Sequence, residues 1–236
     1  MSAVVGTRRP RGLLVAALAL LALVVALGLV IVLDPASPLV QPLDDVWRSR
    51  LGSAGPEDGP VVVALHLVGE PVGWLALGVV VPGLLLWARR PWPALTWELA
   101  LLAGVVASQV GKYLVGRPRP AADPTADLYG PLFSATQAAF PSGHATAAAV
   151  VGVAGAAVAP VAWRRWWWVA GTVLCAAMVW QRTLVNAHWL TDTLGGLALG
   201  AACGLLVWWA MWPWLARDGH EARTTVSEAG GSRSPR

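Results

Sequence analysis

The sequence predicts an all-α, polytopic integral membrane protein, with six transmembrane helices in one bundle and both termini in the cytoplasm. Three observations predict it. Of 236 residues, 56% are hydrophobic and only 13% charged, with a mean hydropathy of +0.59; soluble domains carry about 25% charged residues. Several apolar runs approach or exceed the ~20 residues that cross a bilayer as a helix. Arginines cluster at the ends of these runs, and many of the fifteen tryptophans do the same, as cytoplasmic flanks and interfacial belts require. The net charge of +4 and pI of about 9.8 therefore reflect membrane topology and not a nucleic-acid partner.

Residues 1–11 form a short basic cytoplasmic N-terminus carrying Arg8, Arg9 and Arg11. Residues 12–33 follow without a charge. This run exceeds the roughly 7–15-residue core of a signal peptide, and no small-x-small cleavage site follows it. It reads as an uncleaved first span. Residues 34–60, rich in Pro, Gly and Asp, form an extracytoplasmic connection. Within it, residues 42–51 predict a short interfacial helix with Leu43 and Trp47 toward lipid, and Asp44, Asp45 and Trp47 as interfacial anchors.

The second span begins at either residue 61 or residue 71 and ends at 88, because His66, Glu70 and Pro71 make its outer end polar. His66 and Glu70 stand at i and i+4 and read as structural or interfacial. Arg89-Arg90 closes the span inside. A third span covers 94–115, with Glu98 near its cytoplasmic start, where the helix dipole favours an anion. Ser108, Gln109 and Lys112 mark its outer end. Residues 116–140, with Pro118, Pro120, Asp123, Pro124 and Asp127, read as a surface loop.

The fourth span, 141–161, opens on Pro141-Ser142, a proline tolerated near a first turn and a capping serine. Gly143, Ala147, Gly152 and Ala156 suit close helix packing in lipid. Arg164-Arg165 marks the next cytoplasmic turn, and Trp166-Trp167-Trp168 opens a fifth span, 166–184, as part of a membrane belt. The sixth runs from near residue 188 to 209. The transmembrane domain is thus 12–216, with a catalytic core of about 94–209, followed by Arg217 and a polar cytoplasmic tail, 217–236, expected to be disordered. Cys175 and Cys203 lie in mid-run without metal-ligand spacing and read as small packing residues. No internal repeat suggests a transporter of inverted halves.

This topology leaves Lys112, Arg117, Arg119 and Arg182 on the outer side, among Asp34, Asp44, Asp45, Glu57, Asp58, Asp123 and Asp127. Basic residues on the wrong side call for a use. They fall in three groups at the outer ends of spans three to six: Lys112 with Arg119-Pro120; Pro141-Ser142-Gly143-His144; and Arg182, His188 and Asp192. Three cations beside a helix N-terminus suit a group of high negative charge such as phosphate. His188 and Asp192, at i and i+4, share a helix face, and a histidine held by a carboxylate is a nucleophile or base with one tautomer fixed. A second histidine, His144, can protonate a leaving group.

In order and spacing, these groups resemble the signature of the type-2 phosphatidic acid phosphatase and vanadium haloperoxidase superfamily, and the six-span layout resembles its membrane lipid phosphatases. That signature reads Lys-x6-Arg-Pro, Pro-Ser-Gly-His and Ser-Arg-x5-His-x3-Asp. The resemblance covers about residues 112–192. It departs at Gln181, where the family has serine. The doubled Arg117-Pro118-Arg119-Pro120 also leaves two arginines for one role; spacing from Lys112 selects Arg119, with Arg117 as the alternative.

The resemblance implies a two-step, metal-independent reaction without a cofactor. His188 attacks phosphorus, Asp192 orients it, and His144 protonates the leaving oxygen and then activates water. Lys112, Arg119, Arg182, Ser142 and Gly143 bind the phosphate. The implied substrate is a lipid phosphate or diphosphate at the extracytoplasmic face of the cell membrane, such as undecaprenyl diphosphate, phosphatidic acid or phosphatidylglycerol phosphate. Three alternatives share the site: a phosphoryl or phospho-alcohol transferase, a vanadate-dependent halide oxidation, and a non-catalytic lipid-phosphate binding or transport protein. The last is disfavoured because both histidines and Asp192 are present.

Overall fold

In the computed structural model, residues 8–52, 64, 71–126, 128–130 and 138–231 are described, with backbone alone for 71, 72, 74 and 219–231. Among them the chain is all-helical: α1 (Arg11–Leu33), α2 (Gln41–Leu51), α3 (Pro71–Trp87), α4 (Pro91–Val115), a 3-10 turn (Pro124–Ala126), α5 (Gly143–Val158), α6 (Val161–Leu184) and α7 (Leu190–Gly231). His66, Glu70, Glu57, Asp58 and Asp127 lie outside the described residues.

Among the described residues, three helices are long and apolar enough to cross a membrane: α1, α4 and residues Leu190–Asp218 of α7. Two more apolar helices are shorter, Leu75–Trp87 and Gly143–Val158. α6 has the length, but Arg164, Arg165, Gln181 and Arg182 dilute its apolar character. The outer faces of α1 and α6 carry exposed Val15, Leu23, Leu29, Trp163 and Trp166, as a surface meeting hydrocarbon and headgroups should.

α5 is the axis of the bundle. Thirteen of its residues are buried, and it packs against α4, α6 and α7, while α7 also contacts α1. A helix of 16 residues spans only about 24 Å at 1.5 Å per residue. Its neighbours cover it all round, so its first turn is enclosed at the polar end of the bundle. Small residues make this possible. Gly196 and Gly200, one turn apart on α7, lie where any Cβ would strike the carbonyl oxygens of Ser142 and Thr146. The α5 backbone therefore seats directly on α7, in the manner of small-residue packing in lipid. Gly152 meets Gly171 in the same way between α5 and α6. Around this axis pack Trp97, Leu101, Val150, Ala154 and Val158 on one side, and Val153, Ala157 and Trp208 on the other.

Two expectations change here. The final helix does not stop near residue 209. It continues through Pro213 to Gly231. Ala, Glu and Arg, good helix formers, are common beyond Pro213. Asp218 is held: it accepts hydrogen bonds from Arg90 Nε and Nη2 at 3.0 and 2.9 Å. The second change concerns α2. Leu43 is exposed as expected, but Asp44 is buried and Trp47 turns inward, donating its indole N–H to Thr183 Oγ1 at 3.0 Å. The interfacial helix is docked by its polar side, because buried partners on other elements satisfy it better than water would.

Candidate active site

The site begins with the loop before α5. The Phe140-Pro141 bond is cis, and Phe140 lies buried against Gly195 of α7, while Pro141 packs on Gly111 of α4. Ser142 is the N-cap of α5. Its Oγ accepts from the Ala145 N–H at 3.5 Å, and its own N–H donates to the Asp192 carbonyl at 3.0 Å. Serine capping is thus combined with a direct tie between α5 and α7. Gly143 faces Ser108 and the Lys112 side chain, and a Cβ there would come into contact with both.

Lys112 is buried at the end of α4 and donates from Nζ to the Ala138 carbonyl at 2.7 Å. Arg119, in the loop after α4, donates from Nη1 to the Ala187 carbonyl and lies 3.5 Å from His188 Nε2. Arg182, in the last turn of α6, is held on two sides. Its Nε donates to Gln181 Oε1 at 2.6 Å, and its Nη1 stands 3.0 Å from His144 Nε2. Gln181, which occupies the serine position of the resembling signature, is buried and uses its amide oxygen to fix the neighbouring guanidinium.

His188 lies in the short connection between α6 and α7. Its Nδ1 is 2.7 Å from the Ala139 carbonyl, which can only accept, so the proton is on Nδ1 and Nε2 presents its lone pair. Burial pushes the His188 pKa well below 6.5, and Lys112, Arg119, Arg182 and His144 push it further the same way. The imidazole is therefore neutral at pH 7, the form a nucleophile needs. By the same donor logic, Arg182 can only donate, so His144 Nε2 accepts and is in its base form here.

Asp192 stands at 4.0 Å from His188 Nδ1. Its oxygens are engaged elsewhere: Oδ2 accepts from the Trp189 N–H at 2.9 Å, and Oδ1 from Arg117 Nη1 at 2.8 Å. The two arginines of the doubled motif are thus separated. Arg119 is the one beside His188 Nε2, while Arg117 is turned into carboxylates.

The structure brings Lys112, Arg119, Arg182 and His144 around His188, all close enough to act on its charge, with Ser142 and Gly143 at the first turn of α5. Sequence reasoning missed the Ala139 carbonyl as the acceptor for His188, and Asp44 as a partner of the site. A backbone carbonyl leaves no residue signal. Asp44 had one: Gln41 and Asp44 share a face of α2, and both accept from Arg117 Nη2, at 2.8 and 2.7 Å. Which cation that face meets is not a local property.

Residues 93–216 match the PAP2 superfamily. The chain belongs to that family. Its fold is similar to the crystal structure of the first transmembrane PAP2-type phosphatidylglycerolphosphate phosphatase from Bacillus subtilis, with a TM-score of 0.66 and 22% identity over 81% of this chain and 93% of that one. No curated protein gives a significant match. The PAP2 match contains every residue proposed from the three motifs, and it begins after α2.

Proposed function

We propose that this PAP2 protein is a multi-pass membrane lipid phosphatase that hydrolyses a lipid phosphate or diphosphate through a phosphohistidine intermediate. The observation that carries it is the gathering of neutral His188, His144 and three cations at the N-terminal turn of α5. Phosphoryl transfer asks mainly for positioning and charge stabilisation, and this arrangement supplies both.

His188 Nε2 attacks phosphorus while Nδ1–H stays on the Ala139 carbonyl. Lys112, Arg119 and Arg182, with N–H groups of the α5 start, take the equatorial oxygens, as preorganised donors should. His144, once protonated, gives its proton to the leaving alcohol or phosphate oxygen. The base form that accepts from Arg182 then removes a proton from the water that opens the phosphohistidine. The cations supply the charge, so the reaction needs no metal.

The extracytoplasmic face and six-span topology are part of the same proposal. Arg9 over Trp209, Arg90 with Asp218, and Arg164 on the Ala156 carbonyl gather basic residues at the end opposite the site. The positive-inside rule makes that end cytoplasmic.

Purified protein in vesicles would be offered phosphatidylglycerol phosphate, phosphatidic acid and undecaprenyl diphosphate with EDTA present, and phosphate release measured. Release from at least one lipid is expected, falling by on the order of 10³-fold or more in His188→Ala. Tight binding of these lipids with no release from any of them, or normal turnover by His188→Ala, would overturn the proposal.

A further inference from the structure

We infer that Arg117, anchored by Asp44 of α2, is a positioning residue that sets both acceptors facing His188 Nδ1. The inference rests on the phosphatase reading and assigns a role within it to residues that no motif uses. The first acceptor is the Ala139 carbonyl, at 2.7 Å from Nδ1. The Ala139 N–H donates to the Arg117 carbonyl at 2.8 Å, so the backbone of Arg117 places that peptide. The second is Asp192, at 4.0 Å from Nδ1, whose Oδ1 is held by Arg117 Nη1 at 2.8 Å. One residue thus controls one acceptor through its main chain and the other through its side chain.

Arg117 is itself fixed from outside the motif region. Its Nη2 donates to Asp44 Oδ2 at 2.7 Å and to Gln41 Oε1 at 2.8 Å, and Nη1 also reaches Thr191 Oγ1 at 2.8 Å. Asp44 in turn accepts from the Thr191 N–H and hydroxyl, at 2.8 and 2.7 Å, which locks α2 to the first turn of α7. The side chains of Arg117, Asp44 and Asp192 are all 0% exposed. A guanidinium with both terminal nitrogens committed in this way is not disposed to bind phosphate. Its planar fork is what allows it to span two carboxylates. Breaking such a buried pair leaves the remaining carboxylate uncompensated, and here that carboxylate neighbours the nucleophile.

The geometry predicts an effect on turnover and not on phosphate affinity. Arg117→Met and the isosteric Asp44→Asn are each expected to lower kcat by about 10–100-fold, the range seen when the support of a reacting ligand is removed. KM should stay within about threefold. The double variant should be about as impaired as Arg117→Met alone, because the two residues act through one contact. Ser49→Ala, on the exposed side of α2, is the control expected to keep wild-type kcat.

Two readouts do not depend on turnover. Titration with inorganic phosphate should give wild-type Kd in both variants, since Lys112, Arg119 and Arg182 are untouched. Nitrogen NMR of histidine-labelled protein should show the Nδ1–H tautomer of His188 in the wild type and a shifted Nδ1–H resonance in the variants, because the Asp192 carboxylate facing it is no longer held in place. Should Arg117→Met fail to fold, Asp44→Asn carries the test. A phosphate Kd weakened tenfold or more at unchanged kcat would make Arg117 a phosphate ligand and overturn the inference. So would wild-type kcat and an unshifted His188 Nδ1–H resonance in Asp44→Asn. Wild-type protein that hydrolyses no lipid phosphate defeats the phosphatase reading instead, and the Nδ1–H resonance and phosphate measurements still decide the role of Arg117.

Discussion

The two ends of the bundle both hold arginines, and they use them differently. At one end Arg90 bridges Asp218 on α7 and the Val158 carbonyl of α5, with side chains 30% and 11% exposed for the ion pair. At the other, Arg117 is sealed between Asp44 and Asp192, while Lys112 rests on the Ala138 carbonyl, Arg119 on that of Ala187, and Arg182 on Gln181 and His144. A carboxylate cancels a cation where it sits. A carbonyl dipole or a neutral imidazole holds a cation in place and leaves its charge to act on something else. The difference is one of partner: Arg90 and Arg117 join helices through carboxylates, whereas Lys112 is fixed by a backbone carbonyl close to His188.

The sharpest way to break this distinction is to remove a cation from the second class. Arg182→Met should cut kcat/KM by about 10–100-fold, since hydrogen bonds from charged groups contribute about 1.5–3 kcal/mol each, and should weaken inorganic phosphate binding in parallel. Unchanged phosphate affinity in a titration would place Arg182 with the struts. Next in size is Gly196→Ala, where a Cβ meets backbone of Ser142 that cannot move without shifting the start of α5. A loss of about 1–3 kcal/mol is expected from such overpacking, read as a lowered midpoint in a denaturation series, with activity falling alongside.

A smaller effect concerns pH. His188 has its pKa depressed by burial and neighbouring cations, so its free base persists well below pH 6.5. The acid limb of kcat/KM that reports protonation of the nucleophile should therefore lie well below pH 6.5, activity falling only as pH drops through that depressed value. A limb at or above 6.5, assigned to His188 by NMR titration, would show that the cations do not act on it. Smallest of all is Arg90→Met at the opposite end. Its pair is partly exposed, so a loss of no more than about 1 kcal/mol is expected, with kcat unchanged.

Much of the fold was legible in the sequence, for a local reason. The helix that opens at Gly143 behind a capping serine, the span ending at Val115 and the turn at Arg89 all follow from apolar run length and from charge at run ends, whereas Arg164 and Arg165, read as a turn, lie inside α6, which already starts at Val161 behind Pro160. The candidate site was legible as a set, because Lys112, Arg119, His144, Arg182, His188 and Asp192 carry fixed spacings along the chain. Roles within the set were less legible. Spacing selected Arg119 over Arg117, and in the structure Arg119 lies beside His188 Nε2 while Arg117 is paired with carboxylates, but spacing gave Asp192 direct contact with His188 where the Ala139 carbonyl stands closer.

What the sequence by itself determined is a bundle of apolar helices with one polar, cationic end and the residue types for phosphate chemistry there. Those properties are additive along the chain: each residue contributes its own hydropathy, charge or spacing. Only the tertiary structure decided that α2 is docked by Asp44, that α5 seats on the glycines of α7, and that Arg117 is paired with Asp44 and Asp192. Those are pairings between segments distant in sequence, and a buried charge takes whichever partner the packing brings within hydrogen-bonding distance.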